Sequence, residues 1–331
     1  LVVSVPLSFM GGIGGAARQG ILIKGADALE TLSKVDTVAF DKTGTLTKGV
    51  FVPAEICPVG ISREELLTIA AALEKHSNHP IARCLATLGE KTATDIQEIA
   101  GGGISGRVDG KLCFAGNRNF LEKMGISPSK GRGVGTVVHI AREGVYLGHI
   151  TLRDEIRSAA KTTVAKLHKK GIRTVMLTGD RQDVADRVGQ SIEIMEVYAQ
   201  LLPQDKVSQL EKQIASGHRV AVVGDGINDA PILARGDVGI AMGGIGSDAA
   251  IESADVVLMD DKLQKVPAAI ALSKKTMAIV KENIIFALGA KGVILLLGAL
   301  GIANMWIAVF GDVGVMFLAT INALRSYLWK E

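Results

Sequence analysis

Thr37-Val38-Ala39-Phe40-Asp41-Lys42-Thr43-Gly44-Thr45-Leu46-Thr47 joins a short β-branched and apolar run to a carboxylate, followed at once by glycine and hydroxyl residues. Such a run reads as a buried parallel strand, and the turn residues end it at Asp41. Open α/β sheets bind ligands at the carboxyl ends of their strands, so Asp41 stands where a reacting group is needed. With Lys42 beside it and hydroxyls on Thr43 and Thr45, Asp41 is equipped to attack phosphorus and form an acyl phosphate.

Composition bounds the setting. The 331 residues suffice for two domains, or for a domain with membrane segments. A formal net charge of +3 gives no bulk field for nucleic acid, so no nucleic-acid partner is expected. Cys57, Cys84 and Cys113 lie far apart, which argues against a disulfide scaffold or a cysteine zinc site and fits a reducing cytosol. Residues Leu1 to Ala17 are uncharged and apolar or small, a little short of the roughly 20 needed to span a bilayer. They are read as part of a transmembrane helix.

Further along, Thr174-Val175-Met176-Leu177 and Val220-Ala221-Val222-Val223 repeat the pattern of a short apolar strand ending in glycine and aspartate. Helical stretches, Ser158 to Lys170 and Gln204 to Ser216, alternate with them. Between Val50 and about Ile150 the character changes: Ser62-Arg63-Glu64-Glu65 opens a helix with a capping-box pattern, and a glycine-rich region with short strands follows. The fold class is therefore α/β, a doubly wound sheet interrupted by an inserted α+β domain.

Three acid-bearing turns, at Asp41, at Thr178-Gly179-Asp180 and at Gly224-Asp225-Gly226-Ile227-Asn228-Asp229, are brought to one sheet edge by parallel strands. Hard oxygen ligands beside a phosphate select Mg²⁺, with Asp41, Asp225 and the Thr43 carbonyl as expected ligands. Lys206 would offset charge on a transferring phosphoryl group.

These residues carry a resemblance. Asp41-Lys42-Thr43-Gly44-Thr45, Thr178-Gly179-Asp180 and Gly224 to Pro231 resemble the phosphorylation-domain motifs of P-type ATPases, whose catalytic core is haloacid-dehalogenase-like. The resemblance makes Asp41 the nucleophile and adds Lys42, Thr43, Thr178, Asp180, Lys206, Asn228 and Asp229 to the catalytic set. Soluble phosphatases of that superfamily commonly carry an aspartate acid and base two residues after the nucleophile. Thr43 stands there instead, and a hydroxyl cannot do that work at neutral pH, so a persistent phosphoenzyme is expected.

Glu74-Lys75-His76-Ser77-Asn78-His79-Pro80 and Gly101-Gly102-Gly103-Ile104-Ser105-Gly106 resemble the nucleotide-binding domain of the heavy-metal, type IB, members. The resemblance implies that Glu74 and His79 help place the adenine of ATP, and that Gly101, Gly103 and Gly106 let the nucleotide approach the backbone. His76 and His79 also have the spacing of a metal pair, but no third ligand is evident nearby.

Toward the C-terminus, Ile284 to Phe310 is apolar except for Lys291, and Val313 to Trp329 is nearly so until Arg325. Gly301-Ile302-Ala303-Asn304-Met305 reads as a turn between two spanning helices. Lysines 262, 265, 274, 275 and 281 precede the first, and Arg325 and Lys330 close the second, which places both outer ends in the cytosol. Counted from the turn at roughly 1.5 Å per residue, Lys291 and Asp312 both lie about 15 Å deep, at the midplane of a roughly 30 Å core. Opposite charges there are expected to face each other or a transported ion. The arrangement is similar to that of the zinc, cadmium and lead exporters of type IB, where the acid binds metal and the lysine is a built-in counter-charge.

The resulting expectation is a set of segments: 1–18 partial transmembrane helix, 19–49 and 151–265 phosphorylation domain, 50–150 nucleotide-binding domain, and transmembrane helices over 276–300 and 304–328. The function expected is ATP-driven export of Zn²⁺, Cd²⁺ or Pb²⁺ from a multi-pass protein of a bacterial plasma membrane, with cytoplasmic catalytic domains. The family's Cys-Pro-Cys site and its actuator domain with a Thr-Gly-Glu loop are expected upstream of Leu1. A copper or other cation pump and a soluble phosphatase of the same fold are the alternatives.

Overall fold

The computed structural model describes residues 3–75, 77, 80–99, 102–129, 135–225, 229–243, 248–301 and 305–329. The chain divides into two compact units, one made of residues 1–46 and 158–331, the other of Thr47–Arg157. The first unit begins with α1 (Ser4–Arg18), β1 (Ile21–Ile23), α2 (Ala26–Ser33) and β2 (Thr37–Asp41). The second unit holds β3 (Thr47–Pro58), α3 (Arg63–Glu74), α4 (Pro80–Ala86), β4 (Thr94–Ile99), β5 (Gly103–Val108), β6 (Lys111–Gly116), α5 (Arg118–Lys123), β7 (Thr136–Arg142) and β8 (Val145–Ile156). The first unit then resumes with α6 (Ala160–Lys169), β9 (Arg173–Leu177), α7 (Gln182–Ile192), β10 (Glu196–Tyr198), α8 (Pro203–Ala215), β11 (Val220–Gly224) and α9 (Ala230–Arg235). It ends with β12 (Val238–Met242), α10 (Asp248–Ser253), β13 (Val256–Leu258), α11 (Lys265–Ala299) and α12 (Met305–Leu328).

The sheet of the first unit has the order β1-β13-β12-β11-β2-β9-β10, parallel throughout except for the edge pair β1 and β13. Strand β2 lies between β11 and β9, and all five of its residues are buried. Burial on both faces is why its sequence shows a continuous apolar run and no alternation. Ala39, Val175, Leu177, Val220 and Val222 share a core with Leu210 of α8 and with Ile232 and Leu233 of α9. Phe40 pairs with Val223 on one side and Met176 on the other, and Asp41 pairs with Leu177. The three strands therefore stop together, and the turns that follow them meet at one edge.

The sheet of the second unit is antiparallel, in the order β3-β8-β7-β6-β5-β4. Leu66, Ile69 and Leu73 of α3 and Leu85 of α4 pack on Val138, Ile140, Ile150 and Leu152, while Phe120 and Leu121 of α5 pack with Ala141. Each fully buried leucine contributes about 1.5 to 3 kcal/mol of apolar transfer. Ser62 caps α3, its side chain accepting from the Glu65 amide at 3.1 Å, as the capping-box pattern requires. The unit begins at Thr47 and ends at Arg157, beyond the 50–150 segment on both sides. The reason is the β3 and β8 ladder, which pairs Thr47 with Ile156 and keeps the flanking residues in one sheet.

The helix expected over 276–300 is the outer part of α11, a continuous 35-residue helix that begins at Lys265. Its lysine-rich first half shows no break before the apolar half. Among the described residues one helix, α11, is long and apolar enough to cross a membrane. It and α12 turn large apolar side chains outward, among them Ile285, Leu295, Leu296, Phe317 and Leu318. An outward apolar surface of this extent suits a lipid environment.

Leu73, fully buried where α3 meets the sheet, should be costly to truncate. We expect Leu73→Ala to destabilise the Thr47–Arg157 unit by about 3 kcal/mol, read as a lowered urea midpoint. A loss below about 1 kcal/mol would mean that this site is not close-packed.

Candidate active site

The turn after β2, Lys42 to Leu46, is tight: Gly44 has φ 74°, a left-handed conformation. A Cβ on Gly44 would stand 2.0 Å from Asp225 Oδ2, so only glycine allows the turns after β2 and β11 to touch. Asp41 is 6% exposed at the end of its strand, and Asp229, placed just before α9, is 1% exposed. Lys206 of α8 reaches between them, donating to Asp41 Oδ1 at 2.5 Å and to Asp229 Oδ1 at 3.1 Å. Lys42, itself 5% exposed, pairs with Asp180 Oδ2 at 2.5 Å. Thr178 Oγ1 accepts from the Asp180 amide at 3.2 Å, which sets the second turn.

Four carboxylates, Asp41, Asp180, Asp225 and Asp229, thus stand with two ammonium groups, Lys42 and Lys206, at one sheet edge. Burial is the main cause that raises Asp41 to about 6, and the Asp229 charge adds to it while Lys206 opposes both. Asp229 is raised as well, by burial first and by Asp225, against the pull of Lys206. Burial disfavours the Lys206 ammonium, but the Asp41 and Asp229 carboxylates outweigh it and hold its pKa above the usual value. The arrangement offers a desolvated carboxylate with an adjacent cation, which can act as a nucleophile toward an electrophile that brings its own positive charge.

The structure brings Asp41, Lys206 and Asp229 together, and Lys42 with Asp180. Thr43 is exposed in the turn, two residues past Asp41. Asn228 lies outside the described residues, as do His76, His79 and Gly101. Thr45, whose hydroxyl the sequence sets four residues past Asp41, is buried and that hydroxyl has no hydrogen-bond partner among the described residues.

The second unit has its own cavity of about 260 Å³, lined by Glu74, Ser77, Glu98, Gly102, Gly103, Gly116, Asn117 and neighbouring strand residues. Glu74 and Gly103 both line this cavity. Gly106 does not, because three residues along a strand reverse the face. A Cβ there would point at Thr94 O, Ile96 and Leu73, into the core. Gly103 also serves packing, since its Cβ would stand 2.4 Å from Ala115 O and 2.6 Å from Phe120 Cδ1. Burial, with the Glu98 charge second, pushes Glu74 up to about 7. Ser77 Oγ donates to Glu98 Oε1 at 2.9 Å. Glu98, Gly116 and Asn117 were not singled out from sequence. The one signal for Asn117 was a helix cap, and it does accept from the Phe120 amide at 2.9 Å.

In α11 and α12, Lys291 Nζ and Asp312 Oδ1 stand 3.1 Å apart. The two residues do face each other, as the count from the turn had them.

The profile of the haloacid dehalogenase-like hydrolases matches residues 35–237, which span β2 through α9 and so contain all three acid-bearing turns. The chain belongs to that family. This haloacid dehalogenase-like chain is similar to the cadmium, zinc and cobalt-transporting ATPase of Bacillus subtilis strain 168, with 49% identity over 100% of the chain and 49% of the relative. A crystal structure of a zinc-transporting PIB-type ATPase in the E2.Pi state matches with a TM-score of 0.87 and 39% identity, covering 98% of this chain and 55% of that one. The catalytic domain of the CPx-ATPase CopB-B, studied for its changes on nucleotide binding, matches with a TM-score of 0.64 and 28% identity over 77% of this chain and 96% of that one. The chain spans about half the length of the curated relatives it matches.

The family's strand-end acid needs Lys206 in proportion to its charge. Asp41 is held above its unfolded value of 3.8, so folded-state stability falls as pH rises through the window from about 4 to about 6, where Asp41 ionises. Lys206→Met should therefore cost about 3 kcal/mol at pH 7.5 and about half of that or less at pH 5, where Asp41 carries its proton. Urea unfolding at the two pH values checks this, and equal losses at both would refute it.

Proposed function

We propose that this chain is the nucleotide-binding and phosphorylation part, with membrane helices, of a P-type ATPase that exports divalent heavy-metal cations. The observation that carries it is the turn after β2: a buried Asp41 touching Lys206, with a threonine where a proton-shuttling acid would be needed for rapid hydrolysis. ATP is held by the Thr47–Arg157 unit, with Glu74 and Gly103 at its cavity and His79 and Gly101 as further contacts. A carboxylate oxygen of Asp41 attacks the γ-phosphorus, the bond from phosphorus to the bridging oxygen breaks, and ADP leaves with that electron pair. Lys206 offsets charge on the transferred group, Lys42, Thr178, Asp180 and Asp229 hold the surrounding turns, and Asn228 completes the catalytic set.

Mg²⁺ fits the donor set. Among the described residues no three histidine, cysteine or acidic side chains stand close enough to hold a metal alone. Mg²⁺ is usually held by one or two carboxylates together with phosphate oxygens and waters, and the local excess of carboxylates over lysines favours a dication. Asp41, Asp225 and the Thr43 carbonyl would hold it, and it supplies charge neutralisation at the phosphates.

The cargo reading rests on Lys291 and Asp312 and on the relatives' names, which include zinc and cadmium; two add cobalt, and lead is not among those names. Asp312 is the metal ligand and Lys291 its counter-charge. The protein sits in a bacterial plasma membrane with both catalytic units in the cytosol, and its upstream partners are further helices and an actuator domain.

Incubation with ATP labelled on the γ-phosphate should leave an acid-stable, hydroxylamine-sensitive label, and Asp41→Asn should abolish it. Because Asp41 reacts only when ionised and is raised to about 6, labelling should fall as pH drops through about 6. Equal labelling of Asp41→Asn would sink the assignment.

A further inference from the structure

Asn283 of α11 is 1% exposed, and its side chain reaches two other helices. Its Nδ2 donates to Ser8 Oγ of α1 at 3.1 Å and to Ala319 O of α12 at 3.1 Å. Its Oδ1 accepts from Asn322 Nδ2 of α12 at 3.0 Å. A primary amide is the side chain that offers two donors and an acceptor at one point, and here both donors and the acceptor are used. The seam is extended by Ser326 Oγ, which reaches Ser8 O at 3.0 Å, and by Ser8 Oγ, which donates to Ser4 O at 2.8 Å. Gly11 and Gly15 let α1 and α12 approach this closely, since Cβ atoms there would stand 2.4 Å from Ser326 Oγ and 2.9 Å from Ser326 O.

Lys291 lies eight residues beyond Asn283 on α11, and Asp312 lies seven residues before Ala319 on the returning α12. At roughly 1.5 Å per residue both are about 11 to 12 Å from the amide, at the same level. The ion pair does not define that level by itself. Its side chains are 49% and 62% exposed, and two long or mobile side chains at 3.1 Å tolerate a shift of a turn's fraction. A buried, fully bonded amide does not tolerate one, because slipping the helices would leave its donors unmatched in an apolar seam.

We propose that Asn283 is a positioning residue, clamping α11 against α1 and α12 in the register that sets Lys291 opposite Asp312. The proposal rests on the reading of that pair as the ion site, and its test is separate from Asp41 labelling.

The register can be read by disulfide trapping. Ile294 and Gly311 are in contact near the pair, with a Gly311 Cβ falling 2.5 Å from Ile294 Cδ1. The chain with Cys57, Cys84 and Cys113 changed to serine, carrying Ile294→Cys and Gly311→Cys, is placed in lipid nanodiscs and oxidised. The parent should cross-link readily. Asn283→Leu, close in volume, should slow that cross-link about tenfold, since interhelical bonds of this kind sum to about that factor. It should also raise trapping between Ile294→Cys and Gly314→Cys, a partner one turn away, which a merely stabilising residue would not do. Unchanged trapping at both pairs overturns the proposal. If the leucine variant loses its helical circular dichroism, Ser8→Ala and Asn322→Ala decide the matter. Each removes one of the bonds and should slow the first cross-link about threefold; unchanged rates in both overturn it.

Discussion

Burying a carboxylate at the mouth of a parallel strand is the constraint around which the first unit is arranged. Asp41 loses its water because β11 and β9 flank its strand and the turn folds over it. That loss makes the charged form costly, and the nearby Asp229 makes it costlier. Lys206 offsets part of the cost, so the position of α8 relative to the strand ends is set as much by charge as by Leu210 in the core. A solvated aspartate would be less basic, and a fully neutralised one would carry no charge. The partial match between one lysine and two acids leaves the site poised between those limits.

The second unit poses a different packing problem, an antiparallel sheet that leaves a cavity beside its glycine-bearing strands. Gly103 and Gly116 face each other in the register of β5 and β6, and a Cβ on either would fall within 3 Å of the other strand's backbone. Their absence of side chains brings the strands and Phe120 close, and it leaves the open space lined by Glu74 and Glu98 above them. Two acids in one cavity, with Glu74 raised to about 7, suit a ligand edge that presents hydrogen-bond donors.

How much of this was legible in the sequence follows from the range of each interaction. The strand-end acids were legible because parallel topology converts a local pattern, apolar run then glycine and aspartate, into a shared edge. Lys206 was assigned only through its place between two turns, and its pairing with both Asp41 and Asp229 depends on how α8 lies, which no local pattern carries. Gly106 stands apart from the cavity because residues 103 to 108 form a strand whose alternation turns it inward, and spacing within a glycine-rich string does not tell which face each glycine takes. Asn283 gave no signal at all. It follows Glu282 just before the apolar run that starts at Ile284, and only the packing of α1 and α12 around it shows that it is buried.

The two buried polar clusters of the first unit therefore differ in kind. Around Asn283 every strong donor and acceptor of the amide is matched, the groups are neutral, and the result is rigidity: the helices cannot slide without orphaning a bond. Around Asp41 the charges are incompletely matched, so a group that brings positive charge would relieve the imbalance. One cluster is held by neutral bonds that fix the register of three helices, the other by charges that a change of protonation or an arriving cation would redistribute.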